Sequence, residues 1–164
     1  MYQRILVPFD GSPTSDRGLE EAIQLALLTN GELRLVHMVD DLLYVTGFES
    51  YSVYASDILP LMRDAGEKIL QAGKARVVKA GVRVDTVLLE RIAPRLSDLV
   101  ADQAEAWGAD LIVIGTHGRR GVGRLLLGSD AEQIVRTARV PVLLVRAPEV
   151  PAAKTKVEAT SSIA

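Results

Sequence analysis

Residues 111–133, LIVIGTHGRRGVGRLLLGSDAEQ, join an apolar run to a glycine-rich loop and then to the start of a helix. The run from Leu111 to Ile114 is typical of a strand buried on both faces of a parallel sheet. The loop holds five glycines and three arginines. Glycine in a loop is entropically costly, so its repeated use predicts either positive φ angles or a backbone that passes close to another group.

The same kind of apolar run recurs along the chain. Runs rich in Val, Ile and Leu occupy residues 5–9, 33–39, 82–89 and 140–145. Between them apolar residues repeat with the 3.6-residue period of a helix. This alternation predicts an α/β fold, a doubly wound five-stranded parallel sheet with helices on both faces, for which we predict the strand order 3-2-1-4-5. The stripe predicted for the second helix is Ile58, Met62, Ala65, Ile69 and Ala72.

Length and composition favour a single domain. The chain has 164 residues, 48% of them hydrophobic, and the last apolar run ends before residue 147. We predict one domain over residues 1–147 and a disordered tail over residues 148–164, which are rich in Pro, Ala, Ser and Thr without an apolar period.

Charge and cysteine content limit the classes of partner. The net charge is −2 and the charged residues are interspersed, which predicts no nucleic-acid partner. The absence of cysteine excludes disulfides and thiol chemistry. The opening residues are too short an apolar run for a signal peptide or a membrane span, so we expect a cytoplasmic protein with no membrane partner.

Two well-known phosphate-binding motifs do not fit the glycine loop. Residues 123–129, GRLLLGS, have the glycine spacing of a P-loop but lack the lysine that follows its second glycine. Residues 121–123 begin a dinucleotide fingerprint, but Leu126 stands where its last glycine belongs. The loop still delivers Gly128 and Ser129 to a helix N-terminus, where backbone N–H groups and the helix dipole favour an anion such as phosphate.

The glycine spacing resembles that of a known family. Gly115, Gly118, Gly128 and Ser129 match the G-2x-G-9x-G-(S/T) nucleotide signature of the ATP-binding branch of the universal stress proteins. The resemblance covers about residues 3–146 and includes the segments PFD at residues 8–10 and VPVLLVR at residues 140–146. It implies a protein that binds ATP or AMP with Mg²⁺ and signals through nucleotide occupancy in a stress response.

The resemblance also implies where each part of the nucleotide lies. Asp10 would lie near the ribose and would be the metal ligand, while backbone groups around Met38 would hold the adenine. Gly128 and Ser129 would bind the phosphate chain. The nucleotide-binding residues predicted in this way are Pro8, Phe9, Asp10, Met38, Val39, Gly115, Thr116, Gly118, Arg119, Gly128, Ser129 and Asp130.

The last strand predicts self-association. The segment from Val140 to Arg146 lies at the sheet edge in the doubly wound order, and an uncovered apolar edge pairs readily with another strand. The family resemblance implies that two such strands run antiparallel across a two-fold axis. We therefore expect a homodimer through this strand.

Several of these residues also have a purely structural explanation. Ser129 and Glu132 have the spacing of a capping box with Ser129 as the N-cap. Residues 10–13, DGSP, are typical of a turn followed by a helix with proline at its first position. His37 and His117 lack a third ligand at a suitable spacing, so they do not predict a metal site.

Three other functions compete with nucleotide-dependent signalling. Slow ATP hydrolysis would have only Asp10, through Mg²⁺, as visible support, because no residue is recognisable as a water-activating group and no catalytic residue can be assigned. A nucleotide-free dimeric scaffold of the same fold would not need the glycine signature. A phosphoacceptor receiver needs acidic residues after the first and third strands, and the third offers only Glu90.

Overall fold

The computed structural model describes residues 1–40, 58–91, 95–116 and 128–146. Strands and helices alternate through these ranges, as the periodicity predicts. The strands are β1 (Arg4–Pro8), β2 (Glu32–Asp40), β3 (Arg83–Arg91), β4 (Leu111–Gly115) and β5 (Val142–Val145). The helices are α1 (Pro13–Thr29), α2 (Leu59–Lys79), α3 (Leu96–Trp107) and α4 (Ser129–Thr137).

The strands form one parallel sheet in the order β3-β2-β1-β4-β5, which confirms the predicted topology. The strand order reverses between β1 and β4, because the chain returns from β3 at one edge to the other side of β1. In the described part of the sheet β1 pairs with β2 along its whole length, but it pairs with β4 only at Ile5–Leu111 and Leu6–Ile112. The ladder between β1 and β4 therefore ends before the strands do. Open α/β sheets bind ligands beyond the carboxyl ends of the strands at such a reversal.

Two hydrophobic clusters lie on opposite faces of the sheet. Helices α1 and α2 cover one face, with Leu19 and Leu70 fully buried there. Helices α3 and α4 cover the other face, where Val100 and Ile134 are buried against Ile112. Burying aliphatic side chains of this size contributes roughly 1.5–3 kcal/mol each. Helices on both faces of the sheet are thereby confirmed.

The buried face of α2 differs from the predicted stripe. Ala65 and Ala72 are exposed. A Cβ atom at position 66 would lie 2.6 Å from Leu88 Cδ1, and one at position 73 would lie 2.8 Å from Phe9 Cε1. Glycine thus lets α2 approach the sheet closely, and a search for apolar side chains misses this face. The residues buried on α2 are Gly66, Leu70, Gly73 and Val77.

Some predictions fall on parts of the chain that the structure does not describe. The predicted tail, residues 148–164, lies outside the described residues. So do residues 117–127 of the glycine loop, which include Gly118 and Arg119. Among the described helices, none combines the length and the apolar character needed to cross a membrane.

Candidate functional site

The end of β1 is attached to β2 through the main chain of Phe9. The Phe9 N–H donates to the carbonyl of Val36 over 2.8 Å. The Phe9 carbonyl lies 2.7 Å from Nδ1 of His37, which is buried. The Phe9 side chain is itself buried in the core beneath α2. Only the main chain of Phe9 can therefore contribute to a site at this end of the strand.

A tight turn follows and leads into α1. The Oδ1 atom of Asp10 accepts from the N–H of Ser12 over 2.9 Å, and Gly11 has a φ of +72°. Ser12 is the N-cap of α1: its Oγ accepts from the N–H of Ser15 over 3.2 Å, and Pro13 is the first helical residue. The prediction of a turn and a proline-started helix at residues 10–13 is confirmed. The turn holds the Asp10 carboxyl at the carboxyl end of the central strand.

The end of β4 passes very close to the first turn of α1. A Cβ atom at Gly115 would lie 2.7 Å from both the C and O atoms of Thr14 and 3.1 Å from the N atom of Ser15. These are backbone atoms, which cannot rotate away. The predicted close approach of the glycine-rich backbone is therefore present at Gly115, and the group that it approaches is a helix of the same chain.

The start of α4 is attached directly to the end of β4. The N–H of Thr116 donates to the carbonyl of Val145 over 2.9 Å, and the N–H of Gly128 donates to the carbonyl of Thr116 over 2.8 Å. The backbone therefore returns to the strand end from which the glycine loop departs. Thr116 is 5% exposed, whereas Ser129 and Asp130 are exposed.

One expectation about this helix start is wrong, and one of the two general reasons for loop glycines does not apply to Gly128. Gly128 has a φ of −58° and a ψ of 145°, which any residue adopts, so positive φ does not explain this glycine. Ser129 is the first helical residue and Gly128 is the N-cap, with no side-chain hydrogen bond to the first turn. The capping box with Ser129 as N-cap is therefore not formed.

The first turn of α4 consequently has backbone donors without a side-chain cap. The first N–H groups of any helix have no partner inside the helix. In α1 one of them is satisfied by Ser12, but the N-cap of α4 is a glycine, which has no side chain to accept. These N–H groups and the positive end of the helix dipole together favour an anion.

The charges around the site limit how a metal could be held. The described residues contain no group of three or more His, Asp or Glu side chains suited to a metal ion. Asp130 and Glu132 place carboxylates in the first turn of α4, and Glu132 pairs with Arg136 over 2.7 Å. Mg²⁺ commonly uses one or two carboxylates together with phosphate oxygens and water, so Asp10 with a bound phosphate chain fits its preferences.

Glu90, near the end of β3, is held by an arginine of α2. Its two carboxylate oxygens accept from Nε and Nη2 of Arg63, both over 2.7 Å. This bidentate hydrogen bonding lowers the pKa of Glu90 below its ordinary value. The carboxylate is thus committed to a structural ion pair, which disfavours the phosphoacceptor hypothesis.

The described residues of the predicted set lie at one end of the sheet. Pro8 ends β1 and is followed by Phe9 and Asp10, Met38 and Val39 lie near the end of β2, and Gly115 ends β4 and is followed by Thr116. Val39 is buried toward α2, so only its main chain can face the site. Sequence reasoning missed that polar residues beside these positions are buried, because those around the start of α1 have the pattern of an ordinary turn and helix start, and the histidine of β2 is weighed there only as a metal ligand. They are Ser12, Thr14, Ser15 and His37.

Comparison with known proteins identifies relatives along most of the chain. The universal stress protein family matches residues 1–146. The universal stress protein MJ0531 of Methanocaldococcus jannaschii is 33% identical over 151 residues, covering 91% of this chain and 85% of the relative. A putative universal stress protein of Staphylococcus haemolyticus is 32% identical over 150 residues, covering 92% of this chain and 88% of the relative.

Solved structures share the fold. The hypothetical protein MJ0577 superposes with a TM-score of 0.80 at 23% identity, over 92% of this chain and 99% of its own. A universal stress protein in complex with cAMP superposes with a TM-score of 0.62 at 26% identity, over 90% of this chain and 98% of its own. The universal stress protein from Archaeoglobus fulgidus in complex with dAMP superposes with a TM-score of 0.59 at 22% identity, over 87% of this chain and 94% of its own. The family match over residues 1–146 and the relatives at 32–33% identity show that the chain belongs to the universal stress protein family.

Proposed function

We propose that the protein binds an adenine nucleotide, ATP with Mg²⁺ or AMP, beyond the carboxyl ends of β1 and β4, and that occupancy of this site is its signal in a stress response. One observation carries the proposal. Helix α4 starts at the end of β4 with a glycine N-cap, so that within the described residues no N-cap side chain accepts from its first-turn N–H groups at the strand-order reversal. A phosphate group is the anion that such a helix start binds most readily.

The other described residues suit the rest of a nucleotide. Asp10 lies in the turn after the neighbouring strand β1, where its carboxyl would face the ribose and Mg²⁺. The main chain of Met38 and Val39, one strand further, would meet the adenine. Gly115 and Thr116 would line the ribose and phosphates, and Gly118 and Arg119 would complete the loop around them. When bound, Mg²⁺ would neutralise phosphate charge beside Asp130.

The relatives support the chemical class of the ligand. A family member 26% identical to this chain is in complex with cAMP. Its ligand combines an adenine, a ribose and a phosphate, which are the three parts that the site described above would accommodate. The G-2x-G-9x-G-S spacing of Gly115, Gly118, Gly128 and Ser129 extends the proposal to ATP.

The proposal includes a cytoplasmic homodimer joined through β5. This strand is at the sheet edge, and Leu143 and Leu144 are 38% and 39% exposed on its opposite faces. Val135 on α4 is 43% exposed. An edge strand with exposed leucines is stabilised by pairing with a second copy, and a two-fold axis would place two β5 strands antiparallel.

Thermal unfolding with and without nucleotide tests the proposal. A ligand that binds only the folded state raises the melting temperature by mass action. We expect millimolar ATP with Mg²⁺ to raise it, and we expect GTP at the same concentration to raise it less. Native mass spectrometry of the protein as purified is the companion measurement, because it shows whether the protein carries a bound nucleotide. No shift with ATP or AMP, together with no nucleotide in the denatured supernatant, would support the nucleotide-free scaffold instead.

A further inference from the structure

We propose that His37 is a positioning residue for the nucleotide site: its Nδ1–H holds the carbonyl of Phe9 and thereby fixes the peptide that precedes Asp10. This inference rests on the proposed nucleotide binding and assigns a role to a buried side chain outside the glycine signature. It stands on the 2.7 Å contact between His37 Nδ1 and Phe9 O and on the 7% exposure of His37.

The contact determines which ring nitrogen carries the proton. A backbone carbonyl oxygen only accepts hydrogen bonds, so Nδ1 must be the donor. In the neutral ring this requires the Nδ1–H tautomer, set by the bond that this nitrogen makes. The tautomer is therefore a direct consequence of the geometry and can be measured without any variant.

The carbonyl that His37 holds belongs to the same planar peptide unit as the N–H of Asp10. Because a peptide unit is rigid, fixing its oxygen fixes the direction in which the chain enters Asp10. The other side of Phe9 is fixed by its N–H donation to Val36 O over 2.8 Å. Beyond Asp10 the turn is closed by Ser12 N–H on Asp10 Oδ1. The metal-ligand candidate is thus held on both sides, and His37 supplies the side-chain contact from β2.

Helix α2 leaves room for this ring. A Cβ atom at Gly66 would lie 2.9 Å from His37 Cδ2. The glycine therefore lets α2 pass over the imidazole, and the ring fills the space between the helix and the end of β2. A side chain that is similar in size but lacks a donor would keep the packing and lose the bond to Phe9. Such a replacement therefore distinguishes a positioning role of His37, through its hydrogen bond, from a role in packing alone.

Two variants make this separation. His37→Leu keeps an apolar side chain in the buried space and has no donor, whereas His37→Asn places an amide N–H near the position of Nδ1. We expect His37→Leu to weaken ATP–Mg²⁺ binding about tenfold by calorimetry, because the peptide before Asp10 loses the contact that orients it in the free protein and must be ordered when the ligand binds. We expect His37→Asn to bind within about threefold of wild type. Circular dichroism checks that both are folded at the temperature of measurement.

Nitrogen-15 NMR of the wild-type protein at a pH where the ring is neutral supplies the second readout, and we expect the Nδ1–H tautomer. An Nε2–H tautomer would overturn the inference even if His37→Leu failed to fold. Equal ATP affinity in wild type and His37→Leu would overturn this inference and leave the proposed function intact. The same holds if His37→Asn binds ATP as weakly as His37→Leu. A wild-type protein that binds no nucleotide would overturn the proposed function, and this inference with it.

Discussion

The contact between β4 and α1 gives a prediction in which two alanine substitutions at one contact have opposite effects. A Cβ atom at Gly115 would lie 2.7 Å from the C and O atoms of Thr14, so Gly115→Ala forces two backbone segments apart. Overpacking of this kind typically costs about 1–3 kcal/mol. On the α1 side, a Cβ atom at Gly18 would lie 3.4 Å from Gly115 N, an ordinary contact. Gly18→Ala should therefore gain up to about 1 kcal/mol of helix propensity.

Thermal and urea unfolding without nucleotide measure the difference. For a chain of this length about 1 kcal/mol corresponds to roughly 2–4 °C, so Gly115→Ala should melt about 2–12 °C below wild type, while Gly18→Ala should melt at or slightly above it. The displaced first turn of α1 also carries Ser12, which closes the Asp10 turn, so Gly115→Ala should bind ATP more weakly. A Gly115→Ala protein as stable as wild type would refute the reasoning, as would an equal loss in Gly18→Ala.

Three further predictions concern assembly, pH and turnover. Light scattering should give twice the chain mass of 17.7 kDa, and Leu144→Asp should give the monomer mass; a wild-type monomer at micromolar concentration would refute pairing through β5. Arg63→Gln should raise the pKa of Glu90 in a carboxyl-carbon NMR titration, because that arginine lowers the folded-state pKa. The stability from this exposed pair is present above the unfolded-state pKa and is lost as the pH falls through the folded-state pKa. Equal Glu90 pKa values in the variant and the wild type would refute this prediction. ATP turnover should be far slower than the enzyme median of about 10 per second, and a rate near it would reveal an unrecognised catalytic group.

The strand order and the alternation of elements could be predicted from the sequence because the apolar runs and the helical stripes are strong local patterns. The buried face of α2 could not be predicted in this way, because the helix packs closely through Gly66 and Gly73, and glycine has no hydrophobic side chain to detect. A pattern that accepts glycine at helical spacing would have found the set Gly66, Leu70, Gly73 and Val77.

The candidate site was predictable in part for the same reason. The turn at residues 10–13 follows from local turn chemistry, which the sequence displays directly. The role of Gly115 depends on Thr14, about a hundred positions away in the chain, and spacing carries no information about that contact. The predicted capping box is not formed because Gly128, whose N–H donates to the Thr116 carbonyl, takes the N-cap position that Ser129 would otherwise occupy.

Calorimetry of the Gly128→Val and Ser129→Ala variants tests most directly whether the start of α4 binds the phosphates. Gly128 has an ordinary φ, so valine is compatible with its backbone conformation, and a branched side chain there would lie next to the first-turn N–H groups. Ser129→Ala removes one hydroxyl and keeps the backbone donors. With circular dichroism confirming that both variants are folded, we expect Gly128→Val to lose measurable ATP–Mg²⁺ binding and Ser129→Ala to lose much less. An ATP affinity in Gly128→Val equal to that of wild type would contradict the assignment of the phosphates to this helix.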